Sequence, residues 1–194
     1  CIITKGDLVV QSFGFKRYLP IGDVRTAIEF FVNWDVDEIV VMDIDASITG
    51  QEPNVELVEW AAKACFVPLV VGGGIKTIGH IQRLLKAGAD KVCINSIVRD
   101  KISFVTEASN MFGDQCITVS VDVVKENGEY KAFDYRDSKS FGSDLAEHLK
   151  EIEQAGAGEI LLNSVDRDGS REGYDLELLK RFSSLVNIPV IALG

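Results

Sequence analysis

Short apolar runs alternate with amphipathic segments along the chain. The apolar runs predict buried strands at 38–43, 68–71, 91–95, 117–123, 159–163 and 189–193. Apolar residues recur at helical spacing between them and predict helices at 24–34, 56–65, 77–87, 103–112, 143–155 and 175–186. Because continuous apolar strands that alternate with helices are typical of a parallel sheet covered on both faces, the pattern predicts an α/β fold.

An internal repeat extends this prediction. At an offset of 121 residues, DEIVVMDID (37–45) aligns with GEILLNSVD (158–166), and VPLVVGG (67–73) aligns with IPVIALG (188–194). Two repeats of four βα modules would make a (βα)8 TIM barrel with twofold internal symmetry, a fold of about 250 residues. We therefore expect one barrel domain over 1–194, truncated after strand seven and lacking strand eight and its helix. Either the sequence is a fragment, or another chain, such as a second copy, completes the barrel.

Composition and charge narrow the function classes. The net charge of −10 at pH 7 argues against general nucleic-acid binding, which needs a basic surface. No apolar run approaches the roughly 20 residues of a membrane span, so no contact with a membrane is expected. The four cysteines and two histidines lack metal-ligand spacing, so we expect neither a metal nor a cofactor. Reduced thiols would fit a cytoplasmic protein.

Polar residues collect where the predicted strands end, which is where TIM barrels carry their active sites. Three glycines, 72–74, follow the third barrel strand, and Asn95-Ser96 follows the fourth. Backbone N–H groups of a glycine-rich loop can approach an anion closely, so these loops predict a phosphate site. A tight turn is the alternative for the glycines. By the repeat, Gly194 would begin a second phosphate site.

Aspartates form the second group at the strand ends: Asp43, Asp122, Asp166 and Asp168. A single aspartate there is often only a helix cap or a turn former, and Asp168-Gly169 has the composition of a turn. Four aspartates at one barrel mouth would favour a site, since ring closure or ammonia addition needs a proton donor and a proton acceptor. A place at the mouth would also let solvent or a ligand stabilise the charge of Asp122, which otherwise lies in a buried run.

A hairpin is expected between these loops. The segment KENGEYKAF (125–133) contains Asn-Gly, the strongest short signal for a two-residue β-turn, and we expect it after the fifth barrel strand. The two histidines, His80 and His148, fall on predicted helices away from the strand ends. We expect no catalytic role for either.

Six segments carry a longer pattern: DEIVVMDIDAS, VPLVVGGGIKT, AGADKVCINS, FGDQCITVSVDVV, GAGEILLNSVDRDG and GYDLELL. Together they resemble the HisF family, the cyclase subunit of imidazole glycerol phosphate synthase in histidine biosynthesis. The resemblance covers essentially the whole chain. It implies a barrel that binds a bis-phosphate substrate, docks a glutaminase subunit and receives ammonia through its interior.

The resemblance also implies roles for individual residues. Those matching the two phosphate sites are Gly73, Gly74, Asn95, Ser96, Asp168 and Gly169, to which the repeat adds Gly194. Asp122 matches the second catalytic aspartate of the family. The charged ring where ammonia is thought to enter would include Glu38, Lys91 and Glu159. Further expected site residues at strand ends are Asp43 and Ser164.

Two positions depart from the family pattern. When the two repeats are aligned with a shift of two residues, Asp122 falls opposite Ile3. The family has its first catalytic aspartate at the position of Ile3. In the first loop, Gln11 stands where the family has a lysine. One proton-transfer group is typically worth about 10²–10⁴-fold in rate. The chain is therefore more similar to a HisF-like branch that has an apolar residue here. That branch is associated with amidation of bacterial surface sugars, in which a glutaminase and a separate sugar amidotransferase take part.

Three functions stay open at this point. The first is an ammonia-conducting barrel subunit for sugar amidation. The second is a working cyclase of histidine biosynthesis, in which another group, such as Asp7, replaces the missing aspartate. The third is a non-catalytic phosphate-binding scaffold or barrel fragment.

Overall fold

The computed structural model describes the chain except for Asp7 and Ser143. The described strands are β1 (Ile2–Lys5), β2 (Leu8–Phe13), β3 (Arg17–Asp23), β4 (Ile39–Asp43), β5 (Leu69–Gly72), β6 (Lys91–Ile94), β7 (Ile117–Glu126), β8 (Glu129–Asp134), β9 (Lys139–Phe141), β10 (Glu159–Ser164) and β11 (Val190–Leu193). The described helices are α1 (Val24–Asn33), α2 (Ala46–Thr49), α3 (Val55–Ala64), α4 (Ile78–Lys86), α5 (Ser96–Asp100), α6 (Ser103–Phe112), α7 (Leu145–Gln154) and α8 (Leu176–Phe182). Every predicted strand and helix is present, but the expected start of α7 at Ser143 lies outside the described residues.

The chain divides into two compact units. Unit 1 is Cys1–Gln11 with Tyr18–Ile94, and unit 2 is Ser12–Arg17 with Asn95–Gly194. In unit 1, β4 pairs in parallel with β1 and β5, β5 pairs in parallel with β6, and β1 pairs antiparallel with β2. In unit 2, β10 pairs in parallel with β7 and β11, while β7, β8 and β9 form an antiparallel meander. The βα order is that of a (βα)8 barrel through its seventh strand, as the sequence predicts.

Strand pairs that are equivalent by the repeat have the same register in the two units. In unit 1, Ile3 on β1 pairs with Met42 on β4. In unit 2, Asp122 on β7 pairs with Asn163 on β10. Met42 and Asn163 are equivalent by the repeat, so their partners Ile3 and Asp122 are equivalent as well. The slip that the sequence comparison needed is therefore present in the sheet.

Glycines end two of the helices as the sequence predicts. After α4, the Gly88 N–H donates to the Leu85 carbonyl and the Ala89 N–H donates to the Leu84 carbonyl, each at 3.1 Å. Gly88 has a φ of 107°, which a residue with a side chain rarely adopts. The same pair of bonds follows α7 around Gly156. Both ends are Schellman motifs, which satisfy the last carbonyls of the helix and turn the chain toward the next strand.

The predicted hairpin is present between β7 and β8. Its two turn residues, Asn127 and Gly128, have φ angles of 52° and 84°, as a type I′ turn requires. Lys125 pairs with Tyr130 on the two sides of the turn. The hairpin continues β7 beyond its expected end and carries β8 and β9 back toward α5 in unit 2.

The core of each unit lies between its parallel strands and their helices. Side chains without exposed surface include Ile28 and Ile81 in unit 1 and Val119 and Ile160 in unit 2. Burying apolar surface of this kind is the main driving force for folding. None of the described helices combines the length and the apolarity that a membrane span needs.

Candidate functional site

A buried carboxylate held by two amides forms the centre of unit 2. Asp122 is 4% exposed. Its Oδ2 accepts a hydrogen bond from Asn95 Nδ2 at 2.8 Å, and its Oδ1 accepts one from Asn163 Nδ2 at 2.9 Å. Burial raises the pKa of Asp122 to about 6, although the two amide bonds favour the charged form and oppose that rise. Amides rather than solvent therefore stabilise its charge in this structure.

Strand register explains how the two amides reach Asp122. Asn163 is the register partner of Asp122 on the neighbouring strand β10. Asn95 precedes α5 at the cap position but makes no side-chain cap bond, because its amide donates to Asp122. Asn95 was expected from the sequence to bind phosphate, and Asn163 was not among the expected site residues. Asn163 could have been identified only by its position opposite Asp122, and finding that position requires the exact register of β7 and β10.

In the loop formed by the three glycines 72–74 of unit 1, the central position 73 has no room for a side chain. Gly73 has a φ of 109°, and Gly74 has a φ of 67°. A Cβ added at Gly73 would overlap the Asp43 carbonyl oxygen, so the backbone packs directly on the end of β4. The close approach fits a loop that exposes its N–H groups to an anion, and it fits a tight turn equally well.

Side chains brace this loop from two sides. The Gly74 N–H donates to Ser47 Oγ at 3.4 Å, and His80 Nδ1 lies 3.2 Å from the Gly74 carbonyl oxygen. Asp43 Oδ1 accepts the N–H groups of Asp45 and Ala46 and so caps the start of α2. His80, for which no catalytic role was expected, therefore supports the candidate phosphate loop. Asp43, an expected site residue, caps the start of α2.

A cavity of about 270 Å³ in unit 1 borders the same loop. Its lining includes Thr4, Asp43 and Gly73 together with the first residues of α1 and α3. This volume approaches the roughly 300 Å³ at which ligand pockets begin. The loop thus borders this cavity, whose lining also includes the carboxylates of Asp23, Asp43 and Glu56.

We expect Gly73→Ala to destabilise the protein by about 1–3 kcal/mol, because the alanine must adopt a left-handed φ and its Cβ meets backbone. Gly22→Ala is the matched control in the same unit. Gly22 has open space around the position of a Cβ and no left-handed φ. Chemical denaturation of both variants measures the difference. Equal stability of the two would show that the loop tolerates a side chain.

The repeat is visible again at Gly194. Its φ is 118°, and a Cβ there would overlap the Ser164 carbonyl oxygen. Gly194 and Ser164 are the repeat equivalents of Gly73 and Asp43, so the same packing occurs at the ends of β11 and β10. Ser164 Oγ also lies 3.5 Å from Asp175 Oδ2. The geometry is what a second phosphate loop would need at its first residue, and that role stays a prediction.

Asp168 holds the tip of the β2–β3 hairpin. Its Oδ2 accepts hydrogen bonds from Ser12 Oγ at 2.5 Å and from the Phe15 N–H at 3.3 Å. Its carbonyl accepts the Gly14 N–H at 3.0 Å. Gly169 has a φ of 68° in the turn that follows. The turn considered from the sequence is therefore present, and the carboxylate binds a loop of its own chain.

A charged network ties the β8–β9 hairpin to α5. Arg136 donates to both carboxylate oxygens of Asp100, at 2.7 and 2.9 Å, and to Asp134 Oδ2 at 2.7 Å. Arg99 donates to the same Asp134 oxygen. Burial acts to raise the pKa of Asp134, but the hydrogen bonds from Arg136 and Arg99 outweigh it and lower that pKa to about 2. The carboxylate is thus ionised at all ordinary pH values.

Two more side chains of unit 2 lie at the candidate site. Tyr135, between Asp134 and Arg136, places its hydroxyl 2.9 Å from Ser96 Oγ. His148 on α7 lines the same small cavity as Asp122. Nothing in the sequence indicated either position, because Tyr135 depends on how the β8–β9 hairpin folds back and His148 on how α7 packs in unit 2.

The residues expected at the charged ring lie at strand starts. Lys91 Nζ is 2.9 Å from Glu38 Oε1 in unit 1. In unit 2, Thr118 Oγ1 donates to Glu159 Oε2 at 3.1 Å. The structure therefore pairs Glu38 with Lys91. Among the described residues, no group of three His, Cys, Asp or Glu side chains could hold a metal ion.

Comparisons with known proteins agree with this geometry. The chain matches the family described as "Histidine biosynthesis protein" over residues 1–194. It is 66% identical to a Vibrio vulnificus protein and 43% identical to a Campylobacter jejuni protein, both provisionally named imidazole glycerol phosphate synthase subunit hisF2. It is 42% identical to a Sulfurisphaera tokodaii protein named imidazole glycerol phosphate synthase subunit HisF. All three alignments cover the whole chain, and they cover 71%, 77% and 78% of these relatives respectively. The chain belongs to the HisF family.

Proposed function

We propose that this chain is a HisF-like subunit that binds a phosphorylated ligand and works with a glutaminase, whose ammonia it passes on for amidation of a bacterial surface sugar. The observation that carries the proposal is the difference between the two equivalent strand pairs. Unit 2 has Asp122 beside Asn163, whereas unit 1 has Ile3 beside Met42. An acid/base pair built on the repeat is thus reduced to one carboxylate.

The chemistry of ring closure explains why this difference matters. Forming an imidazole ring requires one group to remove a proton and another to supply one. Ile3 can do neither, and both oxygens of Asp122 already accept amide hydrogen bonds. Passing ammonia to another protein needs no such pair. The two relatives named hisF2 also carry the name imidazole glycerol phosphate synthase, so their names do not distinguish this role from the histidine pathway.

In this proposal each group of residues has a separate task. Phosphate binding involves the Gly73-Gly74 backbone, Ser96 and the turn at Asp168-Gly169. Gly194, the repeat equivalent of Gly73, begins the second phosphate loop. Asn95 acts mainly by holding Asp122. Glu38, Lys91 and Glu159 would admit ammonia from a docked glutaminase. A sugar amidotransferase would receive it.

The second candidate is the cyclase subunit of imidazole glycerol phosphate synthase. The pKa of Asp122, raised to about 6, favours it, because a group with a pKa near 7 can transfer protons efficiently at neutral pH. The name of the Sulfurisphaera tokodaii relative favours it as well. It needs a replacement for the missing carboxylate, and Asp7, which was considered for that role, lies outside the described residues.

A cyclisation assay with ammonium chloride as the nitrogen source separates the two candidates. We expect turnover of the bis-phosphate substrate at least about 10²-fold slower than that of the Sulfurisphaera tokodaii relative, because one proton-transfer group is missing. Ile3→Asp is expected to raise the rate, and Asp122→Asn to leave it at background. A wild-type rate similar to that of the relative would overturn the proposal in favour of the cyclase. Stimulation of a co-expressed glutaminase by the chain tests the partnership separately.

A further inference from the structure

A histidine lies between two segments of unit 1 beside the candidate phosphate loop. The side chain of His80, on α4, is 11% exposed. Its Nδ1 is 3.2 Å from the Gly74 carbonyl oxygen, and its Nε2 is 3.7 Å from Glu52 Oε1. Glu52 belongs to the segment between α2 and α3, and its Oε2 accepts a hydrogen bond from Arg83 Nη2 at 2.7 Å. The imidazole therefore connects the glycine loop with a carboxylate of a neighbouring segment.

That neighbouring segment packs on the glycine loop itself. A Cβ added at Gly74 would lie 2.6 Å from the Gln51 carbonyl oxygen and 3.5 Å from the Pro53 nitrogen. Residues on both sides of Glu52 thus approach the Gly74 backbone. A contact through His80 would hold together two segments that already touch.

The protonation state of the ring decides which neighbours it can satisfy. The Lys76 N–H lies 3.4 Å from Nδ1 and needs an unprotonated nitrogen there, whereas the Gly74 carbonyl needs an N–H. In the neutral ring with a proton on Nδ1, the lone pair of Nε2 would face the Glu52 carboxylate. Only the charged ring directs an N–H toward both Gly74 and Glu52.

We propose that protonated His80 clamps the glycine loop in the shape that binds a phosphate group of the ligand. The charged groups that face the ring are Glu52, from the segment before α3, and Arg83, three residues along α4, whose guanidinium is paired with Glu52. Histidine is the side chain that changes its charge between about pH 5 and 8. His80 is thus a positioning residue that makes anion binding by the loop depend on pH.

This inference rests on the proposed function in one respect, since it requires the glycine loop to bind phosphate. It involves neither the glutaminase nor the sugar amidotransferase. Failure of the cyclisation or glutaminase experiments would therefore leave the binding result unchanged.

The test is an NMR titration of the full chain with inorganic sulfate, a tetrahedral anion whose charge, unlike that of phosphate, is constant between pH 6 and pH 8. The amide signals of Gly73 and Gly74 report binding at this loop. We expect sulfate to bind about fivefold more tightly at pH 6 than at pH 8, the effect of roughly one hydrogen bond. His80→Ala should bind weakly at both pH values.

His80→Asn is the discriminating variant. Its amide can donate to the Gly74 carbonyl at every pH, but it does not titrate and is too short to reach Glu52. Its sulfate affinity should exceed that of His80→Ala and be equal at pH 6 and pH 8. Gln82→Ala, at an exposed position of α4, is the control and should keep the wild-type pH dependence.

Two results would overturn the inference. One is the same pH dependence in the wild type and in folded His80→Asn, which would leave the phosphate loop itself in place. The other is no sulfate response at Gly73 and Gly74, which would also remove this loop from the proposed function. Should a His80 variant not fold, Glu52→Gln, at an exposed side chain, must reduce the pH dependence, or the inference fails.

Discussion

Asp122→Asn is expected to stabilise the protein by about 3 kcal/mol at neutral pH. The pKa of Asp122 is raised to about 6 in the folded chain by burial, against roughly 3.9 when unfolded. The folded state therefore binds more protons between pH 4 and 6. Wild-type stability falls as the pH rises through that window, and the loss persists above it. The asparagine variant has no charge to bury and should not show this loss.

The variant is structurally feasible because the amide of Asn163 is free to reverse: its buried Oδ1 has no hydrogen-bond partner among the described residues. An asparagine at position 122 can accept from Asn95 and turn its Nδ2 toward Asn163, whose amide can reverse so that Oδ1 accepts. Urea denaturation at pH 4 and at pH 7.5 gives the measurement. The difference between variant and wild type should be small at pH 4 and grow toward pH 7.5.

Asp37→Asn is the control, because Asp37 is exposed in unit 1. Its effect should stay within about 0.5 kcal/mol at both pH values. A gain for Asp122→Asn that does not depend on pH would contradict the explanation by buried charge. Loss of folding in that variant would show that the carboxylate is needed for structure and would remove the functional interpretation of Asp122.

The second large effect is expected at the charged network of unit 2. Asp134→Ala should destabilise the protein by about 2–3 kcal/mol, since it removes the carboxylate that Arg99 and Arg136 share, while Arg136 keeps Asp100 and Arg99 keeps Asp137. The Asp134 side chain is 3% exposed and accepts from both Arg99 and Arg136. Its pKa of about 2 lies below the unfolded value, so its contribution is complete above about pH 4 and is lost as the pH falls toward 2.

Asp137→Ala tests whether burial decides the size of that effect. The Asp137 side chain is 40% exposed, and it pairs with Arg99 at 3.4 Å. An exposed pair contributes at most about 1 kcal/mol, so this variant should lose far less than Asp134→Ala in the same denaturation experiment. Similar losses in the two variants would mean that the network does not act through its buried member.

Phosphate binding should also weaken in Asp134→Ala, since the charged network positions the Tyr135 hydroxyl against Ser96.

The sequence predicted six strands of the sheet, the longer helices and the repeat because these depend on patterns within short segments. Apolar runs specified β4, β5, β6, β7, β10 and β11, and Gly88 and Gly156 marked two helix ends. The β2–β3 hairpin was not predicted. The outer strand β3 has an almost fully exposed sequence, so it carries no buried alternation that could identify it.

The candidate site was predictable only in part. Strand ends identified Asp122 and Gly73, and the repeat identified Ile3 as the counterpart of Asp122. The amide of Asn163 could not be placed without knowing that residues 41 positions apart are register partners. Arg99 and Tyr135 reach their partners only because the β8–β9 hairpin returns to α5. Such contacts follow from turn geometry and register, which local patterns do not determine.

Because the equivalent strand pairs have the same register, one unit of the protein can serve as the reference for the other. Equivalent backbone positions carry an aliphatic pair, Ile3 and Met42, in one unit and a carboxylate with its amide, Asp122 and Asn163, in the other. Exchanging the two pairs, singly and together, would complete a thermodynamic cycle within one molecule. Because Ile3 and Met42 are half-buried, whereas Asp122 and Asn163 are buried, the cycle would compare the same side chains at equivalent strand positions that differ in burial.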